Sequence, residues 1–250
     1  MKLDPRNLVA HRGWPSRYPE NTLAGFCAAI DAGAGHLEFD VQLTRDQVPM
    51  VIHDQTTRRT WTSDEDLFEL GADEVRNLSV GEPKRFGDRF ADAMVPSLAE
   101  VVAMLDTFAG QVFVEIKRAS ILRFGKDRCI DAILPLADQL GTRGVIISFD
   151  PEAVSMAKTR GAKQTGWVIS AFNAQTLGAA TDLQPDYLFV KHSRMVQQKL
   201  PSRVKWRWVV YDVKTRQQAM ELFDRGVDLV ETNFIGEFLA NDDQDSDQRP

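Results

Sequence analysis

Short apolar runs rich in β-branched residues recur along the chain. After most of them, apolar residues return every three or four positions. The runs predict strands at Leu8–His11, His36–Leu43, Met50–His53, Val112–Lys117, Gly144–Phe149, Gly166–Ile169, Tyr187–Lys191, Trp206–Tyr211 and Asp228–Thr232. Most are continuously apolar (VFVEI, VIISF, YLFV, WVVY), the pattern of parallel strands covered on both faces. The helical spacing predicts helices at Glu20–Ala32, Leu98–Phe108, Asp127–Leu140, Pro151–Arg160, Ala174–Thr181 and Thr215–Arg225, several bounded by Pro or Gly. Only residues 44–49 separate the second and third runs. A parallel crossover needs about a dozen residues or more, so these two form an antiparallel hairpin. Setting Met50–His53 aside leaves eight strand–helix units. They predict a TIM (β/α)8 barrel in one domain over residues 1–240, with a small insertion after the second barrel strand, at 54–95. The competing architecture is an open doubly wound sheet, and no G-x-G-x-x-G follows the first strand to favour it.

Composition narrows the function classes. The 250 residues carry 30 Lys and Arg against 36 Asp and Glu, a net charge of −6, with 43% hydrophobic residues. No basic cluster stands out, so nucleic acid is not an expected partner. No apolar run approaches the roughly 20 residues of a membrane helix, so no integral membrane segment is expected. The N-terminal MKLDPRNLVAHRG has no apolar h-region. Two cysteines, Cys27 and Cys129, leave no disulfide framework, and a cytoplasmic location is expected. The closing stretch 241–250, with four Asp and one Arg, reads as an acidic, disordered tail.

The chemistry lies at the strand ends, where a barrel builds its active site. VAHR supplies His11 and Arg12, LEFD supplies Glu38 and Asp40, VIHD supplies His53, and FVEIK supplies Glu115 and Lys117. Residues two apart on a strand share a face, so Glu38 and Asp40 point one way and Leu37, Phe39 and Val41 the other. A single strand carboxylate is as readily explained by a salt bridge. Three of them on neighbouring strands would crowd negative charge into one pocket. A divalent cation, Mg²⁺ or Ca²⁺, would relieve that crowding. His11 and His53 each end an apolar run and are suited to carry protons near neutral pH. Arg12 and Lys117 can bind phosphate oxygens, or pair with the same carboxylates. Phe149 and Trp208, with Trp14 and Trp167, are expected near the mouth, where they could pack a small substrate or fill the core.

The strings AHRG (Ala10–Gly13), PENT (Pro19–Thr22), LEFDVQLTRD (Leu37–Asp46), VPMVIHD (Val48–Asp54), VPSLAEVV (Val95–Val102) and VEIK (Val114–Lys117) occur in this order. Together they resemble the glycerophosphodiester phosphodiesterase family. The resemblance implies a TIM barrel that hydrolyses deacylated phospholipids, such as glycerophosphocholine or glycerophosphoethanolamine, to glycerol 3-phosphate and an alcohol. It places Glu38, Asp40 and Glu115 at the metal positions and His11 and His53 at the acid/base positions. For the mechanism, His53 is expected as the base and His11 as the acid. Arg12 and Lys117 fall where the family contacts phosphate, and Glu20 falls near the mouth. The second half departs from the family pattern at Trp208-Val209-Val210-Tyr211 and at Thr232-Asn233-Phe234-Ile235, around the alcohol-side pocket.

Rival readings keep the scaffold and change the substrate. A lysophospholipase D or sphingomyelinase D-like enzyme needs an apolar rim, for which Trp61, Leu67, Phe68 and Leu70 come closest. A glycoside hydrolase would use the carboxylates and leave the histidines idle. A non-enzymatic phosphate-binding barrel would need neither histidine.

Overall fold

The computed structural model describes residues 3–61, 64–195, 199–201 and 203–240, so the expected acidic tail at 241–250 lies outside the described residues. Its strands are β1 (Leu8–His11), β2 (His36–Leu43), β3 (Pro49–Val51), β4 (Val112–Ile116), β5 (Gly144–Ser148), β6 (Gln164–Ile169), β7 (Tyr187–Lys191), β8 (Arg207–Tyr211) and β9 (Leu229–Thr232). Eight of them run parallel in the order β1-β2-β4-β5-β6-β7-β8-β9, and β9 returns to β1 through Leu8↔Val230, Val9↔Glu231 and Ala10↔Thr232. That closing pairing makes the sheet a barrel and excludes the open alternative. β3 is antiparallel to β2, as the short 44–49 connection requires. It ends at Val51, and the Ile52 N–H still donates to the Asp40 carbonyl at 3.0 Å in the same register, just before His53.

Period-two alternation sorts the strands into two cores. Val9, Phe113, Val145, Ile147, Val168, Phe189, Val209 and Leu229 fill the barrel interior. Leu37, Phe39, Val41, Val114 and Ile116 face outward under the helices. Inside, Phe113 stands edge-on to Tyr187 at 5.0 Å and to Phe189 at 5.1 Å. Burying a ring of this size contributes about 1.5–3 kcal/mol, so this aromatic cluster firmly closes the lower barrel beneath the mouth.

Helix caps decide which residues are free to reach the mouth. The Thr22 side chain accepts from the Gly25 N–H, so the first long helix begins at Leu23. It does not start at Glu20, as periodicity predicts; Glu20 and Asn21 are left in the loop that follows β1. Ser97 and Glu100 form a capping box on the helix Leu98–Met104. Asp150 caps Pro151–Thr159 through the Glu152 and Ala153 N–H groups.

Between β3 and the helix Leu98–Met104, the described residues of the insertion form short 3-10 turns and two one-turn helices, Ala72–Val75 and Pro83–Phe86. Met50, Ile52, Leu67, Phe68, Ala72, Val75, Val80 and Val95 form its own small core. Leu67 and Phe68, expected as an apolar rim, are therefore inside the insertion.

Candidate active site

All eight barrel strands end on one face, and a cavity of about 350 Å³ opens there. His11, Arg12, Glu38, His53, Glu115, Lys117 and Phe149 line it, as the sequence predicts. Strand register brings the acids together. Asp40 on β2 pairs with Glu115 on β4, and Glu38 pairs with His11 on β1. Carboxylate oxygens of Glu38, Asp40 and Glu115 lie within 4.8 Å of one another, and all three residues are buried. Arg12 follows His11 and would face outward if β1 continued. Its left-handed backbone (φ 56°) ends the strand and turns the guanidinium back over the mouth. Gly13 (φ 89°) continues the turn, and a Cβ there would stand 2.8 Å from the Gly25 carbonyl carbon.

Charge compensation in this cluster is incomplete. The Lys117 ammonium bridges Asp40 at 2.9 Å and Glu115 at 2.8 Å, and Arg12 Nε stands 2.9 Å from Asp40. Burial alone would raise the Asp40 pKa, but Arg12 and Lys117 overcome it and hold the carboxyl well below its usual range. Burial likewise works against the Lys117 and Arg12 charges, and the surrounding carboxylates outweigh it and raise both pKa values. Among the described residues, no Lys or Arg side chain pairs with Glu38 in this way. Burial, and then the neighbouring Asp40, push its pKa well up. Burial raises Glu115 too, against the pull of Lys117. Three converging hard oxygen donors, one of them without a side-chain counter-ion, are the donor set of a divalent cation such as Mg²⁺ or Ca²⁺. The residues present fit such an ion.

Both histidines are oriented by a partner. His11 Nδ1 lies 2.8 Å from Asn233 Oδ1, which can only accept, so the Nδ1 proton is engaged and Nε2 keeps its lone pair. That nitrogen faces Glu231 at 3.5 Å and Glu38 at 3.7 Å. Burial, and then Arg12, lower the His11 pKa to about 3. His53 Nδ1 lies 2.6 Å from Asp54 Oδ1, and the Asp54 carboxyl is lowered to about 2, chiefly by that bond. A chain of charges continues from there. Arg59 joins Asp54 at 2.7 Å to Glu20 at 2.6 Å, and Glu20 meets Arg12 at 3.1 Å. The insertion thus supplies, in Arg59, the link between the two sides of the mouth.

The expectation for Trp208 is corrected. It faces outward from β8, 2% exposed, against Trp206 and Phe172 at 5.6 Å each. Alternation gives the interior to Val209 and Tyr211, so Tyr211 is the β8 aromatic at the cavity. Trp167 is also outside the barrel interior, and Trp14 donates to Glu237 at 2.8 Å away from the cavity lining. Glu231, Asn233, Lys191 and Asp212 line the cavity without having been singled out. Glu231 could have been found by parity, because it lies two residues beyond the inward-facing Leu229 in a buried strand.

Comparison with known proteins gives the same picture from outside. A glycerophosphodiester phosphodiesterase of Caldanaerobacter subterraneus subsp. tengcongensis is 37% identical over 127 residues, covering 50% of this chain and 51% of the relative. Mouse glycerophosphodiester phosphodiesterase 1 is 32% identical over 155 residues, 61% of this chain and 46% of the relative. The chain thus spans about half the length of these relatives. Among solved structures, a phosphodiesterase of Oleispira antarctica in complex with the product sn-glycerol-3-phosphate superposes with a TM-score of 0.79 at 21% identity, covering 93% of this chain and 94% of that one. A glycerophosphodiester phosphodiesterase of Agrobacterium tumefaciens gives 0.76 at 23% identity, over 96% of this chain and 100% of that one. These two structures match the barrel. A family model extends the match to the cavity-lining residues, spanning 11–237 from the first histidine past Glu231 and Asn233, and on it the chain belongs to the glycerophosphoryl diester phosphodiesterase family.

Proposed function

We propose that the chain hydrolyses glycerophosphodiesters to glycerol 3-phosphate and an alcohol, using a divalent cation at Glu38, Asp40 and Glu115 and two histidines as proton carriers. The observation that carries this reading is the convergence at one cavity of Glu38 and Glu115, with Asp40 buried beside them, of two cationic side chains and of two oriented imidazoles. The product complex of the Oleispira protein, on the same barrel, supports the substrate class.

Bound at the three carboxylates, Mg²⁺ or Ca²⁺ would offset two of their three negative charges and stabilise the charge that grows on the phosphate oxygens. Arg12 presents a guanidinium and Lys117 an ammonium to those oxygens. His11, with its Nδ1 proton engaged by Asn233, offers Nε2 as the base that takes the nucleophile's proton. His53, whose Nδ1 is held by the Asp54 carboxylate, gives a proton to the departing alkoxide. This order reverses the one expected from sequence, where His53 is the base, and the support for it is the chemistry of the two partners. Each proton carrier of this kind contributes about 10²- to 10⁴-fold.

The lysophospholipid reading is weakened because, of the four rim candidates, Leu67 and Phe68 are buried in the insertion and Leu70 packs against its core, while Trp61 is half-buried. The test is a panel of glycerophosphocholine, glycerophosphoethanolamine and lysophosphatidylcholine assayed with Mg²⁺, Ca²⁺ or a chelator, reading glycerol 3-phosphate and released alcohol. Cation-dependent release of glycerol 3-phosphate is expected. Preference for the lysolipid, or release that persists in chelator, would refute the proposal.

A further inference from the structure

Glu231 lines the cavity and has no task in the scheme above. It is 3% exposed, and its Oε2 has no hydrogen-bond partner. Its register partner is Val9, two residues before His11, which sets the carboxylate deep in the cavity. Its Oε1 meets the unprotonated face of His11 at 3.5 Å, and a Glu38 carboxylate oxygen lies within 4.8 Å of its carboxylate. The nearby cations are committed elsewhere: Arg12 to Asp40 and Glu20, Lys117 to Asp40 and Glu115, and Lys191 to Asp212. Among the described residues, no Lys or Arg forms an ion pair with Glu231. A buried carboxylate of this kind calls for a cation, because a hydroxyl would satisfy its hydrogen bonding and leave its charge.

Charge balance points to where that cation comes from. Glu38, Asp40, Glu115 and Glu231 face Arg12 and Lys117, so a divalent ion on the first three leaves the group neutral. A phosphodiester then brings one negative charge. A leaving group with one positive charge restores neutrality. Phe149, Phe189 and Tyr211 line the same cavity and offer π faces of the kind that hold alkylammonium groups.

We propose that Glu231, together with Phe149, Phe189 and Tyr211, forms a subsite for an ammonium on the leaving group, so that a cationic alcohol is favoured over an uncharged one of the same shape. This rests on the reading of the cavity as a phosphodiesterase site and adds the residues that recognise the charge of the alcohol.

The test compares glycerophosphocholine with its uncharged carbon isostere, the 3,3-dimethylbutyl ester of glycerol 3-phosphate. Wild-type kcat/KM should favour the choline ester by about 30-fold or more. Glu231→Gln should bring that ratio to within about threefold of unity. A wild-type ratio near unity, or a ratio that Glu231→Gln does not move, overturns the proposal. Calorimetric titration with choline phosphate and 3,3-dimethylbutyl phosphate reads the same discrimination as dissociation constants. If neither diester is cleaved, the hydrolase reading fails, and the two dissociation constants still decide the ammonium subsite. Thermal melting of the variant establishes that it is folded.

Discussion

Replacing Glu231 by Gln should make the metal-free protein more stable. The wild-type carboxylate is buried, has one oxygen without a donor, turns the other towards an imidazole lone pair, and lies within 4.8 Å of the Glu38 carboxylate. A glutamine of the same shape removes the charge and offers two N–H donors to those acceptors. Relief of an unpaired buried charge with a gained hydrogen bond should be worth about 2 kcal/mol. For a domain of this length that corresponds to roughly 4–8 °C in Tm. The pH dependence has a definite sign. Burial, and then Glu115, raise the folded-state pKa of Glu231 above its ordinary 4.5. The native wild type therefore holds that proton more tightly than the unfolded chain does. Its stabilising effect is complete below pH 4.5 and is lost as pH rises through the folded-state value. The advantage of the glutamine should accordingly be small near pH 4.5 and largest at pH 8. Differential scanning calorimetry of both proteins in chelator, from pH 4.5 to 8, measures it. A variant that melts below wild type at pH 8, or a difference that shrinks as pH rises, would refute the reasoning.

His11→Ala and His53→Ala should each lower turnover of glycerophosphocholine by about 10²- to 10⁴-fold with an unchanged circular dichroism spectrum; near-normal turnover in either would remove that histidine from the mechanism. Asp54→Asn keeps an acceptor for His53 Nδ1 but loses the charge, so kcat should fall by about 10- to 100-fold with KM within about threefold, read by steady-state kinetics. Tyr211→Ala should raise KM for glycerophosphocholine by about tenfold, whereas Trp208→Phe should leave KM within about twofold, because only the first ring borders the cavity.

The barrel and its acidic cluster were legible because both follow from period and spacing. Eight apolar runs separated by helical stretches leave few alternatives, and the short 44–49 connection identifies the hairpin. Two-residue parity places Glu38 and Asp40 on one face, and the β2–β4 register then sets Glu115 beside Asp40. Trp208 shows where that logic stops. Its strand is continuously apolar, so nothing in the pattern says which alternate set points inward, and closure of the barrel assigns that face to Val209 and Tyr211. Asn233 orients His11 across 222 residues of sequence, through the β9–β1 pairing that no local signal contains. Arg59 is a similar case. It sits in the irregular insertion and reads as a surface charge, yet it joins Asp54 to Glu20.

Equilibrium dialysis of the purified protein against Ca²⁺ and Mg²⁺ in turn tests the central claim most directly. Wild type should retain about one ion per chain, and Glu38→Gln and Glu115→Gln should each lose it while remaining folded. No retained ion in wild type, or undiminished retention in both variants, would contradict the assignment of Glu38, Asp40 and Glu115 as the cation site.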